Sequence, residues 1–428
     1  MNTYDKMIAD KQFPVTFFNY CPMGSPGGRP ESVQDWVDAG INVGRSPGFR
    51  EGDNPAEMLA ILDACAEANI QMILVDERCS VGRHCKAGDD GLRKSMEAAL
   101  KDFGDHPGLF GFDIGDEPAN STIPHAFRTT AIHREMAPHL TGFSNLGPYA
   151  PGTAEWMGRR SFRGFLDDYC EQGNPQFLCF DIYSQMEKSE YGLNNYFRCL
   201  RMYADAAKRA GIPWWVTLLS VGHYKYLCPD EDAFRWQIST AVAHGAQGLA
   251  WFFLYMRNPH GNYRVPPIDE HWERTETYEW LSRTQRCFNS MQAAVLTQLT
   301  HHQVWHVGES YGGFTSDIDS EYIKGVKCDY PVIISEFFDR DGRPYVLVVN
   351  NTFTESGQVI ITWHGDPKAH HITWESTEHE HRKYFDDDWP ENPATSTGPW
   401  LAPGQMELFR VDYEGDNKPV GYPEHIAE

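Results

Sequence analysis

Short apolar segments alternate with amphipathic helical patterns through the first three hundred residues of this 428-residue chain. One of these patterns places Met58, Ile61, Leu62 and Cys65 on a single stripe, with the spacing of a helix that covers a sheet. Eight such strand–helix units in succession favour an α/β fold of the (β/α)8 barrel type over a doubly wound sheet. The predicted strands are 15–20, 41–45, 71–76, 109–117, 141–146, 176–183, 214–220 and 248–255.

The pattern changes near residue 304, where apolar and polar residues begin to alternate one by one. The sequence Asp339-Arg340-Asp341-Gly342 is typical of a hairpin turn between two of these segments. We therefore predict a barrel at 1–305 and an antiparallel β-sandwich domain at 306–428, with a charged, irregular surface loop at 376–396. The predicted strands of the sandwich are 330–338, 345–351, 358–363, 371–375 and 405–411.

Residues 111–118, Gly-Phe-Asp-Ile-Gly-Asp-Glu-Pro, predict a strand that ends in two adjacent carboxylates. Strict alternation turns Asp113, Gly115 and Glu117 toward the barrel interior, and Pro118 stops the strand because proline has no N–H for the ladder. Two carboxylates held close together do not both ionise readily, so one pKa rises and that group can donate a proton near neutral pH. The tripeptide Asp-Glu-Pro also begins many helices, which leaves a purely structural role open.

The functional groups of a barrel of this kind gather at the carboxyl ends of its strands. Here those ends carry polar and aromatic side chains together, as carbohydrate sites do, since a sugar presents hydroxyls at its edge and apolar C–H groups on its faces. Packing alternatives remain for some of them: Arg45 can neutralise Asp113 or Glu117, and Trp251 can belong to the core. The candidate substrate-binding residues are Asn19, Arg45, Glu77, Asn145, Tyr183, His223, Trp251 and Tyr255.

Two passages resemble those of the TIM-barrel glycoside hydrolases. Residues 103–109, Phe-Gly-Asp-His-Pro-Gly-Leu, followed by the 111–118 motif, are similar to the helix, His-Pro-x-Leu, strand and Gly-Asp-Glu-Pro passage of that group. Residues 241–249, Ala-Val-Ala-His-Gly-Ala-Gln-Gly-Leu, resemble its approach to the eighth strand. The resemblance extends over essentially the whole chain, and it implies that Glu117 is the general acid/base.

The seventh strand departs from this resemblance. Retaining enzymes of the largest such clan carry a nucleophilic glutamate at the end of strand seven. Residues 218–224, Leu-Leu-Ser-Val-Gly-His-Tyr, contain no carboxylate. The second carboxylate must therefore lie elsewhere, or the mechanism differs.

Three alternatives remain for this second carboxylate. Asp181, on the inward face of strand six, is a candidate nucleophile or base, and its structural alternative is an ion pair inside the barrel with Arg45 or another basic group. Asp76 or Glu77 can instead activate water in an inverting reaction. Asp116 can orient a substrate acetamide, as in the substrate-assisted β-N-acetylhexosaminidases that the Asp-Glu pair resembles, provided that strand four twists or bulges.

Composition limits the partners. The 37 Lys and Arg against 60 Asp and Glu give a net charge of −23, which argues against nucleic acid and anionic membrane surfaces. We expect no membrane span and, because no apolar signal region follows the amino terminus, a cytoplasmic location unless a secretion signal has been trimmed. Ten scattered cysteines favour a reducing compartment. The one cluster, Cys79, His84 and Cys85, matches no zinc pattern, so neither a metal nor a cofactor is predicted.

The sequence therefore predicts a glycoside hydrolase that acts on an oligo- or polysaccharide. Glu117 is the predicted proton donor, and Asp116 and Asp181 are the candidates for the second carboxylate. Two other functions remain open, a substrate-assisted β-N-acetylhexosaminidase-like enzyme and a carbohydrate-binding barrel without catalysis. The oligomeric state is not indicated.

Overall fold

The computed structural model of the protein describes residues 1–259, 261–381, 396–414, 418–423 and 425. The chain forms two compact units. One consists of Met1–Asp10, Pro14–Pro229 and Ala246–Arg283, and the other of Lys11–Phe13, Asp230–Gly245 and Thr284–Glu428. The domain boundary at 305/306 stays a prediction. None of the helices in the described residues combines the length and the hydropathy that crossing a bilayer requires.

The first unit is built on a parallel sheet of eight strands, in the order one, eight, seven, six, five, four, three, two. Strands one and two meet at Asn42, whose N–H donates to the carbonyl of Val15 at 3.3 Å and whose Oδ1 accepts the N–H of Val15 at 2.8 Å. The sheet is thereby a closed barrel, and the predicted fold class is confirmed. The strands are Val15–Phe17, Val43–Arg45, Gln71–Leu74, Leu109–Asp116, Thr141–Leu146, Leu178–Asp181, Trp214–Leu219 and Leu249–Phe252.

Helices connect these strands. Pro55–Glu67 begins where the side chain of Asn54 caps the N–H of Ala56 and proline occupies the first helical position. Its predicted apolar stripe is fully buried. The helices of this unit are Thr3–Ala9, Val33–Asp38, Pro55–Glu67, Val81–Phe103, Ile123–Met136, Thr153–Trp156, Phe162–Gly173 and Glu190–Ala210. Shorter elements are the 3₁₀ turns Pro30–Ser32, Glu77–Cys79, Asn120–Thr122 and Ser184–Glu187, and a ribbon of Gly222–His223 with Tyr263–Arg264.

The fourth strand does not alternate strictly. Its register against strand five shifts between Asp113 and Gly115, which is a β-bulge. A Cβ on Gly115 would meet Val81 at 3.0 Å, in the helix that leads into this strand. The prediction that Gly115 faces inward with Asp113 is therefore wrong. The inserted residue turns Asp116 inward instead, beside Asn145.

The second unit is the predicted antiparallel β-sandwich. Its core lies between two sheets, with Trp305, Ile334 and Phe409 on the larger sheet and Ile361 and Trp363 on the smaller. The larger sheet runs Thr300–Val307, Val332–Phe338, Pro344–Asn350, Met406–Asp412, Lys368–Ile372 and Glu378–Glu380 in spatial order, and the smaller Ile323–Lys327, Ile360–Trp363 and Ser396–Thr397. Gly357–Gln358 pairs with Trp400–Leu401, and the helical segments of this unit are Glu231–Ala243, Ala293–Leu296 and the 3₁₀ turn Trp374–Ser376. The chain passes from the first unit to the second within helix Glu276–Met291, between Arg283 and Thr284.

Two local predictions for this unit have clear outcomes. The hairpin turn is confirmed, because Oδ1 of Asp339 accepts the N–H groups of Asp341 and Arg343, both at 2.9 Å, and Gly342 has a φ of +84°. The predicted loop at 376–396 is wrong at its start, since Glu378–Glu380 pairs with Lys368–Ile372 as an edge strand. The rest of it, 382–395, lies outside the described residues.

Helix Glu231–Ala243 covers the larger sheet of the second unit. The hydroxyl of Ser335 donates to the carbonyl of Ala243 at 2.6 Å, and Nε1 of Trp236 donates to Oδ1 of Asn351 at 3.0 Å. The sequence places this helix in the strand–helix succession of the barrel. An amphipathic stripe indicates that a helix covers a sheet but does not indicate which sheet.

Candidate active site

Glu117 directly follows the fourth barrel strand. Its backbone has a φ of +40°, which is rare for a residue with a side chain, and its N–H donates to the carbonyl of Asn145 at 2.8 Å. Pro118 comes next and has no N–H with which to continue the ladder. The chain therefore turns away at the strand end and leaves the carboxyl of Glu117 at the mouth of the barrel.

The surroundings of Glu117 favour its protonated form. The residue is exposed at the strand end, and the protein around it displaces part of the water from its carboxyl group. Burial raises the pKa of Glu117, and the negative charge of Asp116 raises it further. A carboxylic acid that holds its proton closer to neutral pH is what general acid catalysis requires.

Asp181 ends the sixth strand and is 8% exposed. Its Oδ1 has no hydrogen-bond partner within the described part of the chain. Burial raises the pKa of Asp181 well above its usual range, and the charges of Glu117 and Asp116 add to the effect. The structure thus brings Asp181 into electrostatic contact with both carboxylates of strand four.

Arg45 does not pair with Asp181. Its Nη2 binds Oδ2 of Asp113 inside the barrel, and its guanidinium lies over the rings of Phe18 and Phe143 at 4.1 and 5.0 Å. Both members of the pair are buried. Arg45 therefore neutralises Asp113. Asp181 forms no ion pair with any basic group in the described part of the chain, so its ion-pair alternative is wrong.

Asn145 connects the carboxylates to the barrel interior. Its Nδ2 donates to Oδ1 of Asp116 at 2.9 Å, while its Oδ1 accepts from the hydroxyl of Thr217 at 3.1 Å and from Sγ of Cys179 at 3.6 Å. These contacts fix which end of the amide faces Asp116. The bulge in strand four and this amide together hold Asp116 beside Glu117.

Three predicted substrate-binding residues lie in buried networks. Asn19 donates to the carbonyls of Gly27 and Arg45 at 3.0 and 3.1 Å and accepts the N–H of Cys21. The hydroxyl of Tyr255 accepts from Nε1 of Trp36 at 3.0 Å. Trp251 is fully buried. These contacts favour the packing alternative for all three.

Two acidic residues, Asp76 and Glu77, follow strand three, and both bind other groups of the protein. Oδ2 of Asp76 forms an ion pair with Arg78 at 2.7 Å. Glu77 is exposed, and its Oε1 accepts the N–H of Glu51 at 2.8 Å. Both acids therefore make contacts of their own on the strand-three side, which weakens the case for either as the water-activating base.

Aromatic rings surround Tyr183 and His223. Tyr183 stacks on Phe252 with 5.2 Å between the ring centroids, and His223 stacks on Tyr263 with 4.9 Å between the ring centroids. Burial and the nearby charges of Arg257 and Arg264 lower the pKa of His223. Nδ1 of His223 has no partner among the described residues. Phe252 and Tyr263 were missed in the sequence, because only the spacing of strands and loops in three dimensions brings them to these two residues.

A cleft of about 510 Å³ adjoins Glu117. Trp156 lines it and is 54% exposed. This residue lies in the short helix Thr153–Trp156 after strand five, away from any strand end, and the sequence pattern carries no signal that connects it to Glu117.

No metal centre is visible in the described residues, where no group of three or more His, Cys, Asp or Glu side chains is arranged to hold an ion. His84 of the predicted cluster bonds Asp89 at 2.8 Å and His125 at 2.9 Å. None of the ten cysteines forms a disulfide. Burial raises the pKa of Cys79 well above its usual range, which disfavours the thiolate that a metal needs.

Neither a protein-family model nor a curated protein matches the chain. Among solved structures, it is similar to a family 39 glycoside hydrolase from Bacteroides cellulosilyticus WH2, with a TM-score of 0.52 and 11% identity over 94% of this chain and 82% of that one. It is also similar to a β-galactosidase from Marinomonas ef1, with a TM-score of 0.50 and 12% identity over 67% of this chain. The fold is shared with TIM-barrel glycoside hydrolases. The match spans 62% of the length of the β-galactosidase, and at these identities the likeness shows the fold alone.

Proposed function

We propose that this protein is a glycoside hydrolase that cleaves a glycosidic bond in an oligo- or polysaccharide, with Glu117 as the general acid/base. The observation that carries the proposal is the cluster of Asp116, Glu117 and Asp181 at the carboxyl ends of strands four and six. Their mutual repulsion and burial raise the pKa of Glu117 and of Asp181. Such a cluster supplies both a proton donor and an anion, and glycosidic cleavage requires both.

The proposed chemistry assigns one role to each group. The protonated carboxyl of Glu117 donates to the glycosidic oxygen as the bond from that oxygen to the anomeric carbon breaks. A second carboxylate, in its ionised form, stabilises the positive charge that develops on the anomeric carbon or forms a bond to it. Where this group is Asp181, whose pKa is raised, the reactive state of the cluster is the one in which Glu117 holds a proton and Asp181 has lost its own. Glu117, now ionised, then takes a proton from the incoming water molecule.

Asp181 is the leading candidate for the second carboxylate. It is buried, it is not paired with Arg45, and the charges of Glu117 and Asp116 act on it. Carboxyl groups about 5–5.5 Å apart suit a covalent retaining mechanism, and groups about 6.5–9.5 Å apart suit an inverting one.

A substrate-assisted reaction is the second candidate, and the bulge in strand four favours it. That reaction requires Asp116 to lie on the inward side next to Glu117, and Asp116 bonds the inward-facing amide of Asn145. Asp116 would then orient the acetamide of an N-acetylated sugar, whose oxygen attacks the anomeric carbon.

The structural neighbours support the enzyme class but not the sugar. Their names describe a β-galactosidase and a family 39 glycoside hydrolase, and both share little more than a tenth of their residues with this chain. The net charge of −23 supports a neutral carbohydrate substrate over nucleic acid. No cofactor takes part in the proposed reaction.

Screening nitrophenyl glycosides and natural oligosaccharides, including N-acetylated ones, tests the proposal. Glu117→Gln protein purified in parallel controls for glycosidases of the expression host. Hydrolysis confined to N-acetylated sugars supports the substrate-assisted reaction, and NMR of the first product anomer separates retention from inversion. Binding of an oligosaccharide without any hydrolysis would contradict the proposal and favour a carbohydrate-binding barrel.

A further inference from the structure

The cleft beside Glu117 is lined almost entirely by uncharged residues. Glu117 is the one charged residue among those that line it. The rest of the lining consists of prolines, glycines and small or apolar side chains. It is made by Glu117, Pro118, Gly147, Pro148, Pro151, Gly152, Thr153, Trp156 and Met157.

We propose that this cleft binds the leaving group of the substrate, a neutral sugar or aryl ring whose flat face stacks on Trp156. The inference rests on the proposed hydrolysis and assigns its leaving-group specificity to the segment after strand five. Sugar rings and aryl groups both offer an apolar face, and an indole is the largest apolar platform that a side chain provides.

The position of Glu117 indicates which part of the substrate the cleft holds. A general acid must reach the glycosidic oxygen, and that oxygen departs with the leaving group. A Cβ built on Gly147 would lie 3.4 Å from Oε1 of Glu117, so the wall of the cleft comes directly up to the acid with no side chain between them. Asp181, buried at the end of strand six, is not among the residues that line the cleft.

Trp156 is presented on a segment that is fixed to the barrel. The hydroxyl of Tyr203 donates to the carbonyl of Gly147 at 2.7 Å, at the start of the segment. The N–H of Ala150 donates to the hydroxyl of Thr153 at 2.9 Å, and Met157, after Trp156, is buried. A platform that is already held in place loses little conformational entropy when a ring stacks on it.

Within the described part of the chain, the residues that line the cleft carry no charge apart from Glu117, and this determines the class of ligand. A phosphate or uronate leaving group would meet the carboxyl of Glu117 without a cation in the lining to pair with it. An uncharged ring loses little solvation energy there, because few polar groups of the ring or the cleft remain unpaired.

The test compares two substrates of the same sugar, the one that the glycoside screen selects. One is its disaccharide, whose leaving sugar would fill the cleft, and the other is its glycosyl fluoride, whose leaving group is too small to reach Trp156. Trp156→Ala should lower kcat/KM for the disaccharide roughly 10–100-fold, the loss expected for one buried aromatic contact, and change that for the fluoride less than about twofold. Trp156→Phe should keep most of the activity, and Trp374→Ala, at another exposed tryptophan, should change neither rate.

Calorimetry separates this inference from the proposed hydrolysis. The probes are cellobiose, lactose and chitobiose, titrated into Glu117→Gln protein with and without Trp156→Ala. If no glycoside is hydrolysed but Trp156→Ala removes binding that Trp156→Phe keeps, the cleft inference stands and the hydrolysis fails. If Trp156→Ala lowers both rates equally, or changes neither rate nor binding, the cleft inference is overturned and the hydrolysis stands. If none of these sugars is hydrolysed and none is bound, both the cleft inference and the proposed hydrolysis are overturned.

Discussion

The side-chain amide of Asn145 donates a hydrogen bond of 2.9 Å to Oδ1 of Asp116, the residue that precedes Glu117. This bond holds a negative charge next to the proposed acid, and that charge is one cause of the raised pKa of Glu117. Asp116, held by the amide of Asn145, therefore acts through its charge on the pKa of Glu117.

Asp116→Asn removes this charge and should lower the pKa of Glu117. The high-pH limb of the kcat/KM profile reports the loss of the general acid's proton, so this limb should move to lower pH. Asp205→Asn, at an exposed aspartate on helix Glu190–Ala210, should leave the profile unchanged. An unmoved limb in Asp116→Asn would contradict the electrostatic role of Asp116.

Asp181→Asn should abolish most turnover, with partial rescue by azide, and should not weaken the fold. A raised carboxyl pKa means that the folded state holds a proton that the unfolded state releases, so this contribution to stability is lost as the pH rises through the folded pKa. Compared with the wild type at the same pH, Asp181→Asn should therefore have an equal melting temperature in acid and a higher one at pH 8.

Asp113→Asn is the contrast to Asp181→Asn, because it leaves the buried Arg45 without its partner. Breaking a buried ion pair on one side costs about 3–5 kcal/mol. Thermal melts of both variants and of the wild type at pH 3.5, below the ordinary aspartate pKa of 3.8, and at pH 8 check the two expectations. A lower melting temperature for Asp181→Asn at pH 8, with turnover intact, would show that Asp181 is structural.

His133 should limit the stability of the first unit in acid. It is fully buried, and neither ring nitrogen has a hydrogen-bond partner among the described residues. Burial lowers the pKa of His133 to about 4. Its neutral form is favoured in the folded state, so stability is fully present above the unfolded pKa of about 6.5 and is lost as the pH falls toward 4.

The free energy of unfolding of His133→Leu, taken relative to the wild type, should therefore be on the order of 3 kcal/mol higher at pH 4 than at pH 7.5. Urea unfolding at the two pH values measures this gain. His271→Asn, at an exposed histidine of the same unit, serves as the control. Equal pH dependence in the wild type and His133→Leu would refute the assignment.

Glu336 should act in the opposite direction in the second unit. It is 2% exposed, the hydroxyl of Ser320 bonds its carboxyl, and burial raises its pKa to about 7. Its contribution to stability is present below the unfolded pKa and is lost as the pH rises through 7. Glu336→Gln should thus stabilise the sandwich at pH 8.5 by up to about 3 kcal/mol and have little effect at pH 4, as measured by urea unfolding at the two pH values.

The barrel was predictable because its signal is periodic. Each predicted strand is present, although the strand predicted at 15–20 ends at Phe17 and the one predicted at 248–255 lies at Leu249–Phe252. Strand ends are set by hydrogen bonds to neighbouring strands, and a single sequence does not contain that information. The alternation of strand six correctly placed Asp181 in the interior.

The site was less predictable, because its details depend on single residues. The bulge near Gly115 adds one residue to the fourth strand and leaves no periodic trace, so the predicted facing of Gly115 was wrong and the facing of Asp116 stayed open. Asn19 and Tyr255 lie near predicted strand ends like true ligands, and only their saturated hydrogen bonds show their packing role. Trp156 follows a strand by several residues, and no spacing rule connects it to Glu117.

The most direct test of the account is the turnover of Glu117→Gln on two substrates of one sugar. With a natural glycoside, whose leaving group is poor, the variant should lose about 10²–10⁴-fold in kcat/KM, the usual range for general acid catalysis. With the glycosyl fluoride, whose fluoride ion departs without needing a proton, Glu117→Gln should keep far more of its activity. Glu155→Gln, on the helix that carries Trp156, is the control and should resemble the wild type on both substrates. Near wild-type activity of Glu117→Gln on the natural glycoside would contradict the central claim.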